Sequence, residues 1–261
     1  MTTITTPPPL TDAEQLRMSL WEHLNELRSR VMWAFGSIVI GTIVGFFFAG
    51  DALNLLRQPY CRVVVTASEC QLTLLDPTAG VMEVFRTALL IGGILSIPIL
   101  TYQIMMFIMP GLTRFEKRMV LFSIPPITFL FLVGVVFTWF MLLPPALGFL
   151  ESFGSTVFKP SWTADLYIGF VTSLLWWMGI AFEAPLVFFV ISLFGLITPR
   201  QMIKNWRFAV VGASVAAALI TPTIDPVNMA LVMVPLLGLY MLSIFLVWVG
   251  TRIINKPAAA A

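Results

Sequence analysis

Charge is scarce in this chain. Of its 261 residues only 11% are Asp, Glu, Lys or Arg, less than half the roughly one quarter found in soluble domains. The formal net charge of +2 is too small for a polyanion partner, so no nucleic acid is expected. Histidine occurs once, at His23. One imidazole cannot supply an H-E-x-x-H zinc helix, and His23 stands outside the apolar runs, so no Ser–His pair forms within them. Cysteine occurs twice, at Cys61 and Cys70, which is too few for a structural zinc site. No G-x-x-x-x-G-K-[ST] loop is present. An intramembrane aspartyl dyad needs two acids at depth, and only Glu183 lies there. These absences leave no support for an enzyme, a metal or a cofactor. No internal repeat is visible, which weighs against transporters built from inverted repeats.

Apolar residues fill the space that charge leaves. They make up 59% of the chain, and the mean hydropathy is +0.94. The apolar runs are continuous rather than alternating, which favours helices over a barrel. The expected fold is all-α: a polytopic membrane protein with six transmembrane helices. The spans are read at about Val31–Gly50, Val84–Met109, Met119–Leu143, Tyr167–Leu196, Phe208–Ile220 and Met229–Gly250. The fifth is short, at about 20 Å for a core near 30 Å thick. Pro98, Pro125, Pro126, Pro144, Pro145, Pro185 and Pro235 fall in or beside the spans and predict kinks. Residues 1–15 are expected to be a disordered tail, 16–250 the membrane domain and 251–261 a short second tail. Within 16–30, Leu20, Trp21, Leu24, Leu27 and Val31 recur on one helical face while Glu22, Glu26 and Arg30 recur on another. That pattern predicts an amphipathic leading helix lying at the membrane surface.

Basic residues set the orientation. Arg17, Arg28, Arg30, Arg114, Lys117, Arg118, Arg200, Lys204, Arg207, Arg252 and Lys256 fall on the side of the termini, Arg57, Arg62 and Lys159 on the other, and Arg86 near the start of the second span. The positive-inside rule then makes both termini cytoplasmic, as six crossings require. Cys61 and Cys70 share the first outside loop, where a disulfide is expected, with two free thiols as the alternative.

Few acids remain to carry function. Glu26 can pair with Arg30 at i, i+4. Glu116 can balance its basic neighbours in Arg114-Phe115-Glu116-Lys117-Arg118. Glu83 and Arg86 are spaced for a local ion pair, and Asp225 for a helix cap. Glu183, in mid-span, needs a cavity or a partner, because an acid at the bilayer centre costs about 2.5–3.5 kcal/mol on insertion scales. Gly41-x-x-x-Gly45 permits close helix contact. A proton-coupled small-molecule transporter using Glu183 is the runner-up reading, and a passive assembly scaffold another.

A chain-long set of motifs resembles one family. Trp21-Glu22-His23-Leu24-Asn25-Glu26-Leu27-Arg28-Ser29-Arg30 is similar to the E/T-H-L-x-E-L-R-x-R opening of the TatC family, the core multi-span subunits of the twin-arginine protein translocase. Pro98, Gln103, Phe107, Pro110-Gly111-Leu112 and Glu116-Lys117-Arg118 resemble its P-x4-Q-x3-F-x2-P-G-L-x3-E-[KR]-R. Gly134, Phe137 and Pro144 fit its third span, and Gly179-x-x-Phe182-Glu183-x-Pro185 its G-x-x-F-E-x-P. Arg207, Thr221-Pro222, Asp225 and Pro235 follow in order. The resemblance implies a receptor in the bacterial inner membrane that binds twin-arginine signal peptides of folded cargo at the cytoplasmic face. It implies export driven by the proton-motive force with single-span TatA/TatB-type subunits, in a complex holding several copies of the chain. It places signal-peptide reading on Glu26 and Glu116, and a contact within the membrane on Glu183. The chain departs from the pattern in carrying Thr221-Pro222-Thr223-Ile224-Asp225 for T-P-P-D, Met229 for a frequent Gln, Met241 for a frequent Glu and Arg86 for a frequent Lys.

Overall fold

A computed structural model of the chain describes residues 12–63, 70–108, 114–153, 157, 162–221 and 225–254. Among these the architecture is all-helical, apart from one isolated parallel bridge between Thr73 and Thr163. The helices are α1 (Asp12–Val63), α2 (Ala79–Ile108), α3 (Arg114–Phe137), α4 (Leu143–Ser152), α5 (Ala164–Leu193), α6 (Pro199–Lys204), α7 (Trp206–Ile220) and α8 (Pro226–Ile254). Five stretches are long and apolar enough to cross a bilayer: Trp21–Arg62, Ala79–Phe107, Leu121–Ser152, Ala164–Leu193 and Pro226–Arg252. The 15 residues of α7 fall short of that length.

α1 and α2 form an antiparallel pair zipped by small residues. Ser37, Gly41 and Gly45 on α1 meet Ser96, Gly92 and Ala88 on α2, so each step of four along one helix is matched by a step back along the other. Backbones approach so closely that a Cβ on Gly41, Gly45 or Gly92 would strike the facing main chain. Ser96 Oγ donates across the seam to Ser37 O at 2.8 Å. Gly41-x-x-x-Gly45 was visible as half of this contact, and Ala88-x-x-x-Gly92-x-x-x-Ser96 completes it.

α5 occupies the centre, packing on α2, α3 and α8. Its Tyr167, Ile168, Val171, Leu174, Leu175 and Met178 are buried in the main apolar cluster. It ends where Gly195 adopts φ +69°, with its N–H donating to Ser192 O at 3.0 Å. α6 begins with a capping box, in which Gln201 N donates to Thr198 Oγ1 at 3.4 Å and Thr198 N to Gln201 Oε1 at 2.9 Å.

Two boundaries differ from the sequence expectation. The leading segment and the first span are a single helix of 52 residues, not a surface helix followed by a span ending at Gly50. Gly50 does not end the helix and Pro59 is accommodated within it, because Leu53, Leu56 and Tyr60 continue the apolar stripe into the core cluster. The third span likewise does not stop at Leu143. α3 passes through a π-turn, Thr138–Leu142, into α4, with Pro144 and Pro145 in the first turn of α4. The prolines lack the N–H groups an α-helix would need there, and the widened turn absorbs the mismatch. Residues 1–11 and 255–261, most of the two expected tails, lie outside the described residues.

Candidate functional site

The register of the α1–α2 zipper decides what meets at its N-terminal end. Followed towards the start of α1, it brings Arg30 against Gln103, where Arg30 Nη1 donates to Gln103 Oε1 at 3.2 Å. One turn further, the rings of His23 and Phe107 stack with centroids 4.4 Å apart. Glu26 stands between them on α1, and its Oε1 accepts from Arg30 Nη2 at 3.2 Å. The motif around Glu26 and the motif around Gln103 are therefore one surface. Gln103 is buried and braces the guanidinium, the guanidinium holds one carboxylate oxygen, and the side chain of Glu26 remains 30% exposed. Among the described residues, Oε2 of Glu26 has no hydrogen-bond partner. α3 starts from this same end of α2 after 109–113, and Glu116 lies in its first turn. The Glu116 side chain lies outside the described residues.

Glu183 stands apart from this surface, inside α5. Gly179, one turn earlier, lets the Phe131 ring press against the α5 backbone, and Phe182 packs on Phe137 with centroids 5.3 Å apart. That packing leaves Glu183 half-buried, and its buried Oε1 has no partner among the described residues. It lies ten residues before the end of α5, about 15 Å into the helix and so near mid-depth.

At the opposite end of the bundle, Cys61 and Cys70 are joined by a disulfide with Cα atoms 5.1 Å apart. Nearby, Tyr167 Oη donates to Leu56 O at 2.8 Å beneath the rings of Tyr60 and Trp162. Arg86 Nη1 pairs with Glu83 Oε1 at 2.9 Å, as the i, i+3 spacing suggests. It also pairs with Asp165 Oδ1 at 3.1 Å. Sequence reasoning passed over Asp165, as it passed over Gln103 as the brace for Arg30. Each partner is more than 70 residues away along the chain, and no local spacing reports it. Asp225 caps α8, accepting from Asn228 N at 2.7 Å. Thr223 and Ile224, the departure from T-P-P-D, lie outside the described residues. Met229 packs on the core, and Met241 is exposed.

Residues 22–235 match the family described as Sec-independent protein translocase protein (TatC). The chain is 36% identical over 237 residues to the Sec-independent protein translocase protein TatC of Aquifex aeolicus, covering 90% of this chain and 97% of that one. It is 33% identical over 227 residues to the TatC protein of a Synechocystis strain, covering 87% of each. With the chloroplastic TATC protein of Arabidopsis thaliana it shares 35% identity over 235 residues, covering 86% of this chain and 64% of that one. The fold is similar to a crystal structure of a twin-arginine translocase receptor, TatC. The TM-score is 0.78 at 35% identity, covering 88% of this chain and all of that one.

Proposed function

Because the chain belongs to the TatC family of Sec-independent protein translocase proteins, we propose that it is the receptor subunit of a twin-arginine translocase, reading the paired arginines of a signal peptide with Glu26 and Glu116. As a TatC protein it is a multi-span membrane component of a protein-transport machine and not an enzyme. The observation that carries the receptor reading is the Glu26–Arg30–Gln103 relay. It fixes a carboxylate on a partly exposed helix face while leaving one oxygen without a described partner. A guanidinium offers a planar fork of donors to such an oxygen, and two adjacent arginines call for two acids. Glu116 lies in the first turn of the helix that leaves the same end of the bundle.

The remaining parts of the reading follow from charge and length. Eleven Lys and Arg residues fall on the side of the termini against three on the other. This supports a cytoplasmic location for both termini, and the bacterial relatives support a bacterial inner membrane. That orientation needs α7 as a sixth crossing. Its 15 residues cover about 22 Å, so the bilayer thins around it. Phe208, Val211, Val215 and Leu219 form an exposed apolar face on α7, suited to the helix of a single-span TatA/TatB-type partner. The unpartnered Glu183 oxygen supplies a polar contact within the membrane for a signal peptide or a partner helix. Several copies of the chain assemble in the complex, and the proton-motive force drives export.

The test is binding of a fluorescent twin-arginine signal peptide to the purified protein, beside the same peptide with two lysines. The arginine peptide is expected to bind about tenfold more tightly, and Glu26→Gln or Glu116→Gln to remove that preference. Equal binding of both peptides to the folded protein sinks the assignment of these two acids. Proton-coupled uptake of a small solute into liposomes, abolished by Glu183→Gln, would favour the transporter instead.

A further inference from the structure

We propose that the groove between α1 and α5, across the face of α2, binds one phospholipid with a phosphoethanolamine headgroup, seated on Arg86 and Asp165. The groove has a volume of about 550 Å³. Its wall is mostly apolar, formed by Ile38, Leu89, Leu90, Trp176 and Trp177, with Thr172 and Ser173 donating their hydroxyls back to α5 carbonyls. Arg86 stands at one end, seven residues along α2 from Gly93 in the groove's interior, or about 10 Å. Arg86 lies within two turns of the first residue of α2, and Asp165 is the second residue of α5. Both sit at the depth where an apolar helix meets water, which is where a lipid headgroup lies.

The unused bonding groups of this pair specify the headgroup. Among the described residues the hydrogen bonds of Arg86 run through Nη1: to Glu83 Oε1 at 2.9 Å, Asp165 Oδ1 at 3.1 Å and Asp165 O at 3.1 Å. Among the described residues Nε and Nη2 have no acceptor, so three of the five guanidinium N–H donors remain. The Asp165 carboxylate meets Arg86 through Oδ1 and also touches the carboxyl of Glu83, but its side chain is 58% exposed, so it can still accept a hydrogen bond from the groove side. Gly169 permits the arrangement, because a Cβ there would stand 2.9 Å from Arg86 Nη1. Free donors and an accessible carboxylate therefore lie side by side above a mostly apolar trough. A phosphodiester oxygen takes the donors, and a primary ammonium takes the carboxylate. Phosphatidylglycerol brings no cation for Asp165. Phosphatidylcholine brings one without an N–H. Two carboxyl groups face one guanidinium, so the cluster carries no net positive charge to favour an anionic headgroup over a zwitterionic one.

The experiment is native mass spectrometry of the delipidated full chain. It is titrated in detergent with phosphatidylethanolamine, phosphatidylcholine and phosphatidylglycerol of matched acyl chains. The wild type is expected to retain one phosphatidylethanolamine with about tenfold preference over the other two, the worth of a charge-assisted hydrogen bond. Asp165→Asn should reduce phosphatidylethanolamine to the level of phosphatidylcholine. Ser173→Trp fills the groove without touching the ion pairs and should lower retention of all three lipids about tenfold. Circular dichroism and thermal unfolding establish that each variant is folded, and the headgroup comparison on the wild type decides if one is not. Equal retention of the three lipids, preference for phosphatidylglycerol, or undiminished retention in folded Ser173→Trp overturns the proposal. So does a Ser173→Trp variant that loses signal-peptide binding while keeping its lipid, since the groove would then serve a peptide.

Discussion

At the scale of single residues, most buried polar groups are answered by another residue, and Glu183 Oε1 is an exception among the described residues. Glu83 is answered on one side, with a side chain only 4% exposed, Oε1 on Arg86 and Oε2 buried without a partner among the described residues. Removing Arg86 leaves an acid buried without its counter-ion. Arg86→Ala is expected to cost about 1–3 kcal/mol, since Arg86 is partly exposed and the stranded acid can take up a proton, and the double variant Glu83→Ala/Arg86→Ala less, because it removes the acid together with its partner. Thermal unfolding of the four proteins of this cycle in one detergent reads the difference. A double variant as unstable as Arg86→Ala would mean that the pair does not act as a unit. Glycines divide in the same way. Gly92→Ala drives a methyl into the backbone of α1 around Thr42 and is expected to cost about 1–3 kcal/mol. Gly238 has open space where its Cβ would stand, so Gly238→Ala should leave the unfolding midpoint in place or raise it. Equal midpoints for the two alanine variants would show that the α1–α2 seam yields.

Elements carry the difference between what the sequence reveals and what it hides. The four-residue spacing of Gly41 and Gly45 is legible because helix periodicity writes it locally. So is the Glu26–Arg30 pair. The brace from Gln103, the Asp165 contact and the pairing of α1 with Ala88, Gly92 and Ser96 of α2 are not, since they depend on a register that only packing sets. The end of α1 misled for a different reason. Asp51 marks a fall in hydropathy, and hydropathy reports lipid contact, whereas the helix persists to Val63 because Leu56 and Tyr60 bury against α4 and α5. The π-turn before Pro144 is invisible to a pattern count, because proline announces a missing donor and not the geometry that compensates for it. The disulfide ties the last turn of α1 to the segment leading to the Thr73–Thr163 bridge. Replacing Cys61 and Cys70 by Ser is expected to cost about 2–3 kcal/mol for a loop this short, read as a lower unfolding midpoint. The pair lies at the end of α1 remote from Glu26, so affinity for a signal peptide should not change. A loss of peptide binding would show that α1 transmits strain along its whole length.

On the scale of the whole molecule, the orientation turns on one short helix. Five helices have the length to cross, and an odd number of crossings would put the two termini on opposite sides of the membrane. Charge argues otherwise: Arg28 and Arg30 near the start, Arg200, Lys204 and Arg207 around α6, and Arg252 at the end of α8 are all drawn to one face by the positive-inside rule. The conflict is resolved if α7 crosses despite its 15 residues. Its Arg207 then lies at one interface and Asp225, capping α8, at the other. Cysteines introduced singly at Ser29, Gln201 and Arg252 should react with a membrane-impermeant maleimide only after the cytoplasmic face is opened. Those at Leu75 and Ser152 should react in intact cells. All five positions are exposed, and the native cysteines are held in a disulfide that does not compete. The position at 252 decides the matter. If α7 stays on the side of α6, α8 carries Arg252 across, and its cysteine reacts together with the one at Leu75. That single change of company would reduce the crossings to five and remove the thinned bilayer proposed around α7. It would also leave the apolar face of α7 without a transmembrane partner to receive.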